Sequence, residues 1–275
     1  MQQKHIVVVR IEDILPSYLE VNAENINWID LKIGDKVVLY FNNKYDVGTV
    51  VSEEKIVEEN KIDKKNLYKL IRKLNEQDIQ RLKENEIKSQ EAYKIIKQTC
   101  LNYELPIKIV ATKYSFDRTR LYVYYIKYQN VNLSKIVHEF AHKFKTRIEM
   151  KQIGTRDETK ILGGLGVCGY EICCKRWIKK FESISVEMAK TQQLSLNIPK
   201  LSGLCNRLKC CLAYEYNFYK ECLSRFPKVG SEIKTNEGEG KVVSIDCIKE
   251  LVNVEFKKDE DTVVVKTFKL QELQK

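Results

Sequence analysis

Residues 107–128, IKIVATKYSFDRTRLYVYYIKY, hold two β-rich runs, 107–116 and 120–128, joined near Asp117–Arg118. β-Branched and tyrosyl side chains crowd both runs, the composition that a pleated, half-buried surface selects. On the C-terminal side, Asn132-Leu133-Ser134 opens a helix running to about Phe144, and RIEMKQIG (147–154) reads as a third strand. On the N-terminal side lies the longest helical stretch, residues 64–104. Leu67, Leu70, Ile71, Leu74, Ile79 and Leu82 recur there at three- to four-residue spacing, Tyr93, Ile96 and Cys100 continue the stripe, and Pro106 stops it. An apolar stripe with charged flanks marks a helix laid on a sheet. The order α-β-β-α-β predicts a split β-α-β sandwich, and so an α+β fold.

Both ends of the chain are β-rich. KHIVVVRI (4–11) is one run, and LKIGDKVVLYFNNKYDVGTVVS (31–52) alternates strand-like stretches with turn residues at Gly34, Asn42–Asn43 and Gly48. The C-terminus echoes it: KVGSEIKTNEGEGKVVSID (228–246) sets Gly230, Gly238 and Gly240 between β-branched runs, and LVNVEF and TVVVKTF follow. Two small antiparallel β-barrel modules are expected, of a kind that by fold analogy serves as RNA- or protein-binding adaptors. Four segments result: 1–55, an N-terminal β-rich module; 56–154, the α+β domain; 155–226, a cysteine-rich region; and 227–275, a C-terminal barrel-like module.

The cysteine-rich region writes one pattern twice. Cys168, Cys173 and Cys174 form C-x₄-C-C, and Cys205, Cys210 and Cys211 repeat it 37 residues later. Gly166 matches Gly203, Val167 matches Leu204, Trp177 matches Tyr214 and Phe181 matches Phe218. Thiolates are the ligands that soft metals and iron–sulfur clusters select, so the six cysteines are candidate ligands of a metal or iron–sulfur centre. Clusters and structural zinc sites take four thiolates each, whereas each triplet offers three. One cluster could draw on both triplets, a non-cysteine ligand could complete each site, or a partner could supply what is missing; Cys222 is a seventh thiol nearby. Isolated Cys100 and Cys247 read as buried packing residues. Trp177/Phe181 and Tyr214/Phe218 are spaced i, i+4, as an apolar wall beside the site, a dimerisation surface or ordinary core.

Compartment and composition bound the reading. The N-terminus, MQQKHIVVVRIEDIL, lacks the form of a signal peptide, and no apolar stretch approaches the roughly 18–20 residues a membrane span needs. A cytosolic protein is expected, where thiols stay reduced. The nine cysteines are an odd number, and adjacent cysteines make strained disulfides. An apolar content of 43% excludes global disorder. The net charge of +10 suits RNA or an acidic protein partner, although lysine spread along the whole chain weakens that reading.

Two further motifs carry less. His138-Glu139-Phe140-Ala141-His142 matches H-E-x-x-H on a helix, the zincin arrangement. No histidine follows it, so a third ligand would have to be a carboxylate such as Glu158 or Glu171, and Lys143 sets a cation beside the metal. Ile136, Val137, Phe140, Ala141 and Phe144 already explain the helix as one that packs on a sheet. Gly164–Gly169 fits G-x-G-x-x-G, but a dinucleotide site needs a preceding strand, and 161–162 is short for one. Glycine beside a ligating cysteine has its own reason, the close approach of backbone to sulfur.

The runs IGTRDETKILGGLGVCGYEICC and MAKTQQLSLNIPKLSGLCNRLKCCLAYEY resemble the YaaT/RicT-like proteins of bacteria, which contain a PSP-type C-terminal domain. The resemblance spans about residues 5–247 and is strongest over 150–220. It implies a non-enzymatic iron–sulfur subunit of a cytosolic regulatory complex with two small helical proteins of the YlbF and YmcA type. Such complexes promote ribonuclease Y-dependent mRNA processing and act on sporulation and biofilm programmes. By position the resemblance makes Cys168, Cys173, Cys174, Cys205, Cys210 and Cys211 the ligands of [4Fe-4S] chemistry. Where relatives carry Gly-Arg-Pro after the first cysteine, this chain has Gly169-Tyr170-Glu171. A flavin is associated with such complexes, and no motif here identifies its site. The rival reading is a zinc-stabilised RNA-binding module built on the terminal barrels.

Overall fold

The computed structural model describes residues 3–22, 31–42, 44–53, 55–58, 68–178, 182–259 and 262–273. They fall into two compact units, Met1–Gly163 and Gly164–Lys275. The first begins with β1 (Gln3–Ile11), β2 (Tyr18–Asn22), β3 (Lys36–Phe41), β4 (Lys44–Val50), β5 (Lys55–Glu58) and β6 (Tyr68–Lys73). Pairing runs β1–β2–β6–β3–β4 and returns to β1, so five strands close on themselves, with β5 added on β1. Alternate residues Val7, Val9 and Ile11 meet Val21, Val37, Leu39, Val50 and Leu70 inside, the period-two pattern of a strand with one buried face. The pairing of β2 with β6 is parallel, so the module is not wholly antiparallel.

Two sequence expectations change here. Residues 68–73, read as helix, form β6. Leu70 points into the barrel and Ile71 outward, and the three- to four-residue spacing there is coincidental. What decides it is non-local: β6 fills the gap between β2 and β3, and an isolated run carries no sign of its pairing partners. Leu67 lies outside the described residues. Gly48 sits within β4, not in a turn, because a Cβ there would collide with the Val9 side chain and lie 3.0 Å from the Arg10 carbonyl oxygen.

Helix α1 (Glu76–Asn102) starts at a capping box, in which Asn75 Oδ1 accepts from the Asp78 amide (2.8 Å) and Asp78 Oδ2 from the Asn75 amide (3.0 Å). It lies on β7 (Ile107–Tyr114), which pairs antiparallel with β8 (Arg120–Lys127). Helix α2 (Ser134–Phe144) then crosses to β9 (Arg147–Gln152), parallel to β8. The α-β-β-α-β order is as the sequence reads, but β8 and β9 are direct neighbours, so no strand splits the β-α-β unit. Ala92, Ile96 and Cys100 of α1 share a core with Ile136 and Phe140 of α2 and with Leu121 and Val123. The first half of α1 docks through polar groups instead: buried Asn85 donates to the Ser115 and Phe116 carbonyls, and Ser89 Oγ accepts from the Tyr114 amide. Phe140 is fully buried. Truncation to alanine is expected to cost about 3–5 kcal/mol, read as a lowered urea midpoint at unchanged slope. Helix α3 (Thr155–Leu162) ends the unit.

The second unit contains α4 (Cys173–Arg176), α5 (Val186–Thr191), α6 (Ile198–Leu201), α7 (Cys210–Ser224), β10 (Glu232–Thr235), β11 (Gly238–Asp246), β12 (Leu251–Asp259), β13 (Thr262–Lys269) and α8 (Leu270–Leu273). The four strands make an antiparallel meander in chain order, and among the described residues β10 and β13 do not pair to close a barrel. Closure is unnecessary because Cys222 and Phe226, at and just beyond the end of α7, and Leu270 of α8 cover the face formed by Val242, Val252 and Val254. The echo of the N-terminal module is nonetheless structural. Gly34 and Gly230 both have positive φ (97° and 92°). Their amides donate to the Val50 and Val242 carbonyls (2.9 and 2.8 Å), and those valines donate back to Asp35 and Ser231 (3.0 and 2.9 Å). Gly240 repeats Gly48: it lies within its strand, and a Cβ there would meet Val254 Cγ1 at 2.6 Å. No helix among the described residues is long and apolar enough to cross a membrane.

Candidate metal centre

Each cysteine triplet folds into the same small hairpin. In the first copy the Gly166 amide donates to the Tyr170 carbonyl (2.8 Å), Gly169 to Gly166 (3.0 Å) and Ile172 to Gly164 (3.1 Å). In the second, Gly203 donates to Arg207 (2.8 Å), Asn206 to Gly203 (3.0 Å) and Lys209 to Leu201 (2.9 Å). Every bond recurs at the 37-residue offset. The β-bridges Leu165–Glu171 and Ser202–Leu208 repeat it again. The turn needs a left-handed residue after its first cysteine, supplied by Gly169 (φ 80°) and Asn206 (φ 54°), the two residue types that reach that region most easily. Cys168 and Cys205 thus sit at hairpin tips, while Cys173–Cys174 and Cys210–Cys211 open α4 and α7.

The two copies face each other, in part through an equivalent pair. The rings of Trp177 and Tyr214 meet edge to face at 4.9 Å, and a Cβ on Gly164 would lie 3.1 Å from Leu204 Cδ1. None of the nine cysteines is in a disulfide. Of the six candidates, Cys168 and Cys211 are exposed, Cys173, Cys205 and Cys210 are half-buried, and Cys174 is buried. The Cys211 thiol is pushed above its ordinary value, first by partial burial and then by Glu215, Cys173 and Cys210, so a thiol of the first copy acts on one of the second. Among the described residues no three His, Cys, Asp or Glu side chains gather closely enough to hold a metal ion. A shared centre would have to draw the two hairpins' sulfurs together.

Glycine makes room for that. A Cβ on Gly166 would lie 3.2 Å from Cys168 Sγ, and one on Gly203 would lie 3.7 Å from Cys205 Sγ. Gly166→Ala is therefore expected to displace the Cys168 sulfur and lower metal retention, whereas Gly203→Ala falls at ordinary contact distance and should be nearly silent. Metal content of the two variants, purified in parallel, checks the asymmetry.

Other sequence expectations resolve as follows. Cys222 does not join the triplets. It lies at the far end of α7, roughly 18 Å along the helix from Cys210, and donates to the Cys247 carbonyl (3.3 Å) within the C-terminal core. Cys100 and Cys247 are buried packing residues, their thiols pushed up by burial to about 11 and about 12. Tyr214 and Phe218 are an exposed i, i+4 pair on α7. Helix α4 ends at Arg176, with Trp177 as its cap, while Phe181 lies outside the described residues. In place of the Arg-Pro of relatives, Glu171 pairs with Lys175 (3.5 Å) and Tyr170 carries the Arg176 guanidinium over its ring (5.6 Å), which brace the loop on α4. His138, Glu139 and His142 lie on the exposed side of α2, with Glu139 accepting from the Tyr103 hydroxyl (3.0 Å). Of the carboxylates that could complete a zincin set, Glu158 is bound to Lys108 (2.6 Å) and Glu171 to Lys175. The G-x-G-x-x-G run follows helix α3, not a strand, and forms the first cysteine hairpin.

Comparison with known proteins fits this layout. Residues 68–153 match the PSP1 C-terminal conserved region, and residues 183–226, which include the second triplet, match the third domain of PSP1-like proteins. No solved structure matches significantly. The chain is 37% identical over 211 residues to stage 0 sporulation protein YaaT of Bacillus subtilis (strain 168), an alignment covering 77% of this chain and 76% of that protein. With that identity over three-quarters of both chains, the protein belongs to the YaaT family of PSP1-domain proteins.

Proposed function

We propose that this chain is a regulatory, non-enzymatic subunit whose six repeated cysteines hold iron–sulfur chemistry of the [4Fe-4S] kind. The observation that carries the reading is the pair of matching hairpins, which present three thiols each and face one another through Trp177 and Tyr214. The donor set is all thiolate, the choice of soft metals, and the glycines beneath the tip cysteines leave space for sulfur. When bound, such a cluster supplies an oxygen- and redox-sensitive structural link. Cys168 and Cys205 would hold it from the hairpin tips, and the vicinal pairs would hold it from the starts of α4 and α7. Gly169 and Asn206 hold the turns.

The related Bacillus protein is named for stage 0 of sporulation, which supports a developmental regulatory role. We place this chain in a cytoplasmic complex with small helical YlbF-like and YmcA-like partners that promotes ribonuclease Y-dependent mRNA processing. Anaerobic purification with metal and sulfide analysis tests the cofactor. Identification of co-purifying proteins and transcript mapping in a deletion strain test the role. Zinc without iron, or unaltered ribonuclease Y-dependent transcripts, would overturn the corresponding half.

A further inference from the structure

The first unit holds a cavity of about 970 Å³ between the N-terminal barrel, α1 and β7, at the upper end of the range typical for small-molecule sites. Six lysines line it, Lys36, Lys44, Lys83, Lys94, Lys113 and Lys151, against four carboxylates, Glu12, Asp13, Asp46 and Glu86. The imbalance is built in around Asp13. Asp46 is taken by Lys44 (2.9 Å), and Glu12 by Lys36 (3.3 Å) and the Thr49 hydroxyl (2.8 Å). Asp13 alone faces both Lys113 (3.9 Å) and Lys151 (3.5 Å), and it also accepts from the Tyr124 hydroxyl (2.8 Å). Two ammonium groups thus share one carboxylate in a partly buried wall.

The remaining contacts hold those cations in place without neutralising them. Lys113 donates to the Glu12 backbone carbonyl. Lys151 stands 4.0 Å from the Tyr122 ring centre, and Lys44 stands 5.1 Å from the same centre, a cation–π arrangement that orients charge but does not cancel it. Burial holds the Lys113 amine below its ordinary value, Lys151 pushes it the same way, and Asp13, Glu12 and Asp46 offset this only in part. An entering anion would supply the missing countercharge at little cost in reorganisation.

We propose that this cavity binds a small phosphorylated ligand, with its phosphate at Lys113 and Lys151 and its remainder against Tyr68, Tyr93 and Tyr114. Lysine ammoniums suit a phosphate as point charges, and Lys83 and Lys94 on α1 add positive charge to the same cavity. The volume exceeds what inorganic phosphate fills, which calls for an organic body. The site is independent of the thiols and goes beyond the regulatory reading above.

The test uses the full chain, with inorganic pyrophosphate, adenosine triphosphate and adenosine as probes in calorimetry and thermal unfolding. Pyrophosphate and the triphosphate should bind and raise the melting temperature, and adenosine alone should not. Lys113→Met and Lys151→Met should each weaken binding by about tenfold or more. Asp13→Asn separates a binding site from a simple clamp between barrel and sandwich: freed of its carboxylate, the lysine pair should bind pyrophosphate about tenfold more tightly, even if the protein is less stable. No binding of either phosphate probe by wild type and Asp13→Asn would overturn the proposal. So would unchanged affinity in the folded lysine variants, or a destabilised Asp13→Asn with no gain in affinity.

Discussion

Protein expressed and purified without oxygen is expected to be brown and to carry iron with acid-labile sulfide. Cys168→Ser and Cys205→Ser should each strip most of both. The expectation rests on the equivalence of the two hairpins: each tip cysteine is one of only three thiols in its copy, and a cluster that needs four thiolates cannot lose one without replacement. Cys247→Ser is the control. Its thiol lies in the C-terminal core against Cys222, so it should change stability and leave iron content unchanged. His138→Ala is a second control, because that residue is exposed on α2. Air exposure should bleach the wild-type protein, since Cys168 and Cys211 are open to solvent. Stoichiometric zinc and no iron after anaerobic expression would sink the cluster and leave the zinc-stabilised alternative. Loss of metal from His138→Ala would revive the zincin reading.

The elements that the sequence makes legible are those whose signal is local. The β7-β8-α2-β9 segment follows from its own runs and periodicity, and the doubled cysteine pattern is a repeat that needs no partner to be recognised, although its hairpin form shows only in the fold. What escaped was set by pairing or by backbone detail. β6 has the apolar spacing of a helix, and only its place between β2 and β3 makes it a strand. Gly48 and Gly240 look like turn residues, yet they are glycine because a neighbouring strand passes too close for a Cβ. Asn206 standing in for Gly169 was invisible as well, since an asparagine reveals its left-handed backbone only in the fold.

The site was read in part for the same reason. The six thiols and their pairing into two copies are written in the chain, whereas their exposure and the exclusion of Cys222 are not. The lysine-lined cavity had no signal at all. Asp13 lies about 100 residues from Lys113 and 138 from Lys151 along the chain, and a lysine-rich chain hides two lysines among many.

Removing the cluster should weaken partner binding by the factor with which partners stabilise the cluster, and this effect is expected to be large. Six thiols cannot close two four-ligand sites, and Cys222 is committed elsewhere, so a second cluster would need two ligands beyond them, from non-cysteine side chains or from a partner. The surroundings suit being covered: Val167 is 90% exposed, Leu165 68%, Leu204 60%, Tyr214 69% and Phe218 56%. A partner that completes or covers the centre should raise iron occupancy and slow its loss in air. By linkage, apo-protein and the Cys173→Ser/Cys210→Ser variant should bind that partner more weakly by the same coupling, about 5- to 150-fold for typical couplings. The measurement is partner affinity for cluster-loaded protein, apo-protein and the double variant, with ribonuclease Y-dependent transcripts followed in matching strains. Circular dichroism of the double variant separates lost coupling from lost fold. Equal affinities and normal transcripts in all three would detach the cysteines from assembly, and the function would then have to reside on surfaces other than the paired hairpins.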